Sequence, residues 1–136
     1  MRYLSTRGQS PLQTFAGMLL AGLAPDGGLY LPEAWPHFSA AEMAAFGSQP
    51  YADVARTIIG RLVGDSFSSE ELAADIAAAY ATFDDPRIAP LAEIGPDLFL
   101  LELFHGPTLA FKDIALQVLG RLFERALKKR GHASGR

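Results

Sequence analysis

With 136 residues, 49% of them hydrophobic and 20% charged, the chain is long enough to bury a core and too apolar to be a disordered segment. A formal net charge of −3 gives no basic excess for a nucleic acid, and no apolar run approaches the roughly 18 residues of a membrane span. There is no cysteine, and His37, His105 and His132 are too scattered for ligand spacing, which speaks against disulfides and metal catalysis.

Polar residues interrupt Met1–Ser10 at once, so no signal-peptide layout is present and a cytoplasmic location is expected. Arg2 to Ser5 read as a short strand. "SPLQ" follows, with Ser10 as N-cap, Pro11 at the first helical position and Gln13 three residues after the cap. The helix this predicts carries Phe15, Met18 and Leu19 on one side, with Leu23 as a candidate addition, and stops near Gly22. "APDGGLYLP" then supplies a turn at Asp26, Gly27 and Gly28 before a short strand that Pro32 ends.

Two helices announce themselves by capping boxes, Ser39 to Glu42 and Ser68 to Glu71. Between them Val54, Ile58 and Leu62 recur at helical spacing from about Tyr51 to Val63, and Gly64 supplies a stop. The helix after Ser68 places Leu72, Ile76 and Tyr80 at intervals of four and ends before Pro86. From Leu91 the pattern changes: "LAEI", the turn "GPD" and "LFLLELF" read as two short strands, a candidate hairpin. A domain boundary is expected near Asp85 to Pro90.

The last helix, from about Ala110 to Lys129, raises the functional question. On a wheel of about 100° per residue, Phe111, Ala115, Val118, Leu119, Leu122, Phe123 and Ala126 share one sector, while Asp113, Gln117, Arg121, Glu124 and Lys128 take the opposite one. Lys112 breaks this sorting, since it falls between Leu119 and Phe123 on the apolar side. It also sits in the first turn, where free N–H groups present positive charge. Burial and that dipole both disfavour an ammonium ion, which would free the amine as a nucleophile able to form a Schiff base. The alternative is that Lys112 snorkels, its stem on apolar surface and its head in water. "HGPT" ahead of it places Gly106 and Pro107 in a rigid turn and offers Thr108 as an N-cap.

The run "LELFHGPTLAFKDIALQ", with "YLSTRG" at Tyr3 to Gly8 and "GLAPDGGLYLP" at Gly22 to Pro32, resembles the N-terminal part of threonine synthase. The three motifs stand in the family's order across almost the whole chain. The resemblance implies an α+β, mostly helical N-terminal part of a fold-type-II pyridoxal 5'-phosphate enzyme, a tryptophan synthase β-like α/β fold, without most of its parallel sheet. It divides the chain into an N-terminal domain, 1–90, and the start of the catalytic domain, 91–136. The implied reaction converts O-phospho-L-homoserine and water to L-threonine and phosphate.

On that resemblance Lys112 is the Schiff-base lysine and the proton carrier at the substrate's α and β carbons. His105, Gly106, Thr108, Phe111 and Asp113 would shape the site through packing and capping. Ser5, Thr6 and Arg7 offer two hydroxyls and a guanidinium for the substrate's phosphate, or else Arg7 pairs with a carboxylate of a neighbouring segment. Members of the family are much longer, so the chain reads as a fragment with the covalent anchor but no glycine-rich phosphate loop after it. Specific cofactor binding and turnover are not expected of it alone. Its last helix is expected to fold back on the N-terminal helices or to enter a self-association interface. "GHASGR", beginning at Gly131, is expected to be a frayed tail after a glycine stop. Two rivals remain open: another fold-type-II enzyme, such as a serine or threonine dehydratase or a tryptophan synthase β-like lyase, and a non-enzymatic helical interaction module.

Overall fold

The computed structural model describes residues 1–133. Tyr3 and Ser5 are buried to either side of a half-buried Leu4, and this segment forms β1 (Tyr3–Ser5), antiparallel to β2 (Tyr30–Pro32), with Tyr3 opposite Pro32 and Ser5 opposite Tyr30. Gln13 bridges to the same strand and exchanges both backbone hydrogen bonds with Tyr3 at 2.9 Å. That bridge corrects the expected start of the first helix. It holds Gln13 in an extended pairing, Ser10 turns its hydroxyl to the Asp26 N–H, and α1 (Phe15–Ala21) begins after Thr14, whose hydroxyl accepts from the Gly17 N–H. Gly22 ends it at φ 72°, as expected.

α2 (Ala40–Phe46) and α4 (Ser69–Tyr80) open on the two capping boxes, each with its serine hydroxyl on the N3 amide and its glutamate returning to the serine N–H. α3 (Tyr51–Val63) occupies the expected residues and ends at Gly64. A single 3-10 turn at Gly64–Ser66 leads towards α4. β3 (Leu91–Gly95) and β4 (Leu98–Leu101) form the expected hairpin, antiparallel, with a register slip between Glu93 and Gly95 and Asp97 in the left-handed region. α5 (Asp113–Ala133) follows.

The buried centre joins α3, α4 and α5. Val63, Leu72, Ile76 and Ala79 meet Val118, Leu122 and Ala126, with Phe15 and Leu19 of α1 packed at the side. Edge-to-face pairs Tyr51–Tyr80 and Tyr80–Phe83 extend it, and Tyr3 donates to the Leu62 carbonyl at 2.7 Å. Arg125 grips Asp75 with two bonds of 2.5 and 2.8 Å, fastening α5 to α4. One core therefore spans both sides of the boundary expected near residue 90.

Three expectations for α5 change. The helix starts at Asp113 rather than Ala110, and it runs through Gly131 to Ala133 rather than stopping there; residues 134–136 of the expected tail lie outside the described residues. Only one edge of its apolar stripe is covered. Val118, Leu122 and Ala126 are buried on the side that faces α4 and α1, whereas Leu119 and Phe123 remain 41% and 39% exposed and line, with Leu19 and Leu116, an open groove. No described helix is long and apolar enough to cross a membrane, and no described group of acidic and histidine side chains forms a metal-ligand set.

Candidate active site

Lys112 stands immediately before α5. Its carbonyl accepts the first helical bonds, from the Ala115 and Leu116 amides at 3.1 and 2.8 Å, so it holds the N-cap position and not the first turn. The wheel had extrapolated the helix one turn too far back, and the side chain is exposed rather than turned into the core. The burial expected of this side chain is therefore not found among the described residues. The direction that the wheel assigned, between Leu119 and Phe123, is the uncovered edge of α5.

What fixes the lysine's place is Asp113. It is 3% exposed, and its carboxylate accepts from the Thr108 N–H and hydroxyl at 2.8 Å each and from the Gln117 amide at 3.2 Å. Burial alone would raise its pKa; the hydrogen bonds from Thr108, Gln117 and the Ala110 segment outweigh it and hold the carboxyl below its usual range. Thr108 is thus no N-cap. It is the partner that the first helical residue captures. Gly106 is buried directly beneath, and a Cβ there would lie 2.4 Å from the Asp113 Cβ. Leu109, between them, is held at φ 59°, a conformation seldom adopted by a bulky residue, with its N–H on the Gly106 carbonyl. Phe111 is 63% exposed, so most of its ring is uncovered among the described residues.

His105 anchors the other end of this loop. Its Nδ1 lies 2.8 Å from an Asp84 oxygen and its Nε2 2.7 Å from a Glu102 oxygen, while its carbonyl accepts from the Asp84 N–H at 3.0 Å. Glu102 and then Asp84 raise the imidazole's pKa against a modest desolvation. Asp84 and Glu102 were missed by sequence reasoning because their relation to His105 depends on how α4 and β4 end. Gln117 was placed on the polar side of α5, and its i to i+4 spacing from Asp113 was the signal available.

Ser5, Thr6 and Arg7 belong to a second cluster, built around the Asp26–Gly28 turn. Ser5 is buried and donates to Asp26 Oδ1 at 2.7 Å, Thr6 accepts from the Leu29 N–H at 3.0 Å, and Arg7 donates to the Asp26 carbonyl at 2.9 Å. Arg7 does reach a neighbouring segment, but its partner there is a backbone carbonyl and not the carboxylate expected. Asp26 also accepts from the Gln9 and Gly28 amides, and its pKa falls to about 2, chiefly through Ser5. Within the described residues these three side chains hold the turn. Gly28 is required there, since a Cβ would meet Ser5 Oγ at 2.1 Å.

The arrangement presents one exposed primary amine on a loop pinned at both ends, beside an uncovered apolar helix edge. The family model "Threonine synthase N terminus" matches residues 2–80. The threonine synthase of Pseudomonas aeruginosa is 47% identical over 131 residues, 96% of this chain and 28% of that protein; that of Methylobacillus glycogenes is also 47% identical, over 98% of this chain and 30% of its own length. The crystal structure of a PLP-bound threonine synthase from Brucella melitensis superposes with a TM-score of 0.93 at 43% identity, over 96% of this chain and 28% of that one. The chain thus spans a little over a quarter of the length of these relatives, and the matches take in the lysine motif as well as the N-terminal domain. Family model, sequences and fold agree that this chain belongs to the threonine synthase family.

Proposed function

We propose that the chain is the N-terminal portion of a pyridoxal 5'-phosphate-dependent threonine synthase acting on O-phospho-L-homoserine and water, in the cytoplasm, and that Lys112 is the amine that receives the cofactor's aldehyde. The observation that carries this reading is the exposed lysine of "AFKD" at the mouth of α5, on a loop that Asp113 and His105 hold in place. When bound, the cofactor supplies an electron sink for negative charge on the substrate carbons. Lys112 provides the attachment and carries protons at the substrate's α and β carbons. Asp113, Thr108 and Gly106 fix where the amine starts from.

The remaining groups of a cofactor site are expected to lie outside this chain. The two glycines where a Cβ would collide most closely with side chains, Gly28 and Gly106, are filled by the chain's own Ser5 and Asp113, and neither leaves a cradle for a phosphate. Among the described residues no buried side-chain donor waits for an absent ligand. The 136-residue chain alone is therefore expected to be inactive. The rivals are separated by assaying the product of the full reading frame: phosphate release from O-phospho-L-homoserine supports this reading, and ammonia release from serine or threonine in its place favours a dehydratase. Neither activity, with no cofactor absorbance, favours an interaction module.

A further inference from the structure

We propose that His105 is a positioning residue for the Lys112 loop, acting in its doubly protonated form as a latch between the end of β4 and the segment after α4. Both ring nitrogens face carboxylate oxygens, Asp84 at 2.8 Å and Glu102 at 2.7 Å. A neutral imidazole has one N–H and one lone pair, so it can satisfy only one of these acceptors and must turn its lone pair on the other. Only the imidazolium donates to both. The backbone repeats the tie, since the Asp84 N–H donates to the His105 carbonyl and the Glu102 N–H to the Pro90 carbonyl.

The other charged groups nearby leave the latch intact. Asp85 adds negative charge, and Arg87 is occupied by Asp85 through two side-chain bonds of 3.0 and 2.6 Å. The Phe104 ring covers one side of the imidazole, centroid to centroid 4.8 Å. The ring is mostly buried, its side chain 15% exposed, so water replaces a lost partner poorly. Beyond His105 the chain passes directly to Gly106, packed on Asp113, and then to Lys112. Releasing the latch frees the upstream anchor of the loop that presents the amine.

The direction with pH follows. The native pKa of His105 is raised above its unfolded value near 6.5, so its contribution is complete below that value and is lost as pH rises through the higher native one. The loop should loosen on the alkaline side. This inference rests on the proposed role of Lys112 for its functional meaning, but its test involves neither cofactor nor turnover.

The His105 ring of the 136-residue chain is titrated by ¹⁵N NMR in the wild type, Asp84→Asn and Glu102→Gln. Amide protection over residues 102–112 is measured by hydrogen exchange on both sides of the midpoint, with His105→Gln for comparison. The latch requires the midpoint to fall in both carboxylate variants. It also requires wild-type protection to drop about tenfold above the midpoint, and His105→Gln to be poorly protected at both pH values. A midpoint that moves in one variant or neither, or wild-type protection equal on both sides, overturns it. Because both substitutions keep the size and shape of the side chain they replace, loss of the fold does not confuse the reading.

Discussion

Asp26 accepts hydrogen bonds from Ser5, Gln9 and Gly28, and together these hold its carboxyl at about 2 instead of its ordinary 3.8. Because the folded value is the lower one, its stabilisation is present above pH 3.8 and is lost as pH falls through about 2. Asp26→Asn should lower the urea midpoint at neutral pH and flatten its decline over that acid range. Equal slopes in both proteins would remove Asp26 from the account. The sequence announced the turn at "DGG" but not the Ser5 bond, which joins residues 21 apart and exists only once β1 and β2 pair. Lys112 shows the reverse case. Its motif was legible by resemblance, whereas its direction was not, because a helical wheel assumes a start that Asp113 and Thr108 displace by three residues.

At the scale of elements, local chemistry decided α2, α3 and α4. The capping boxes that start α2 and α4 and the glycine that stops α3 lie within one turn of the helix ends, so the sequence carried that information. α1 and α5 were misplaced at their starts because non-local bonds compete there: the Tyr3–Gln13 bridge delays one, and the Asp113 network sets the other. The packing of α4 yields a graded prediction. Ile76 is 1% exposed at the centre of the core, and Ile76→Ala should cost about 2–5 kcal/mol in denaturant unfolding. Ser68→Ala removes one reciprocal cap and should cost about 1 kcal/mol. A cap substitution as costly as the core one would mean that α4 is held by its end and not by its buried face.

For the whole molecule, the uncovered surface is the informative feature. Leu116, Leu119 and Phe123 on α5 and Leu98 to Leu101 on β4 are all substantially exposed, and large apolar side chains grouped on one element in this way mark surfaces that a partner covers. The sequence foresaw that α5 needs a cover, and the structure divides the answer: one edge folds onto α1 and α4, and the other stays open. The isolated chain is therefore expected to associate with rising concentration in sedimentation velocity, and Leu119→Glu with Phe123→Glu to reduce that association. A monomer at every concentration would contradict this.

The central claim, that Lys112 is the amine that bears the cofactor, has a direct measurement. The product of the full reading frame is incubated with pyridoxal 5'-phosphate, reduced with borohydride to fix the cofactor to its amine, digested and mapped by mass spectrometry. The account predicts the modification on the peptide containing Lys112 and its loss in Lys112→Ala. Saturable modification at another lysine, with Lys112 untouched, would contradict it.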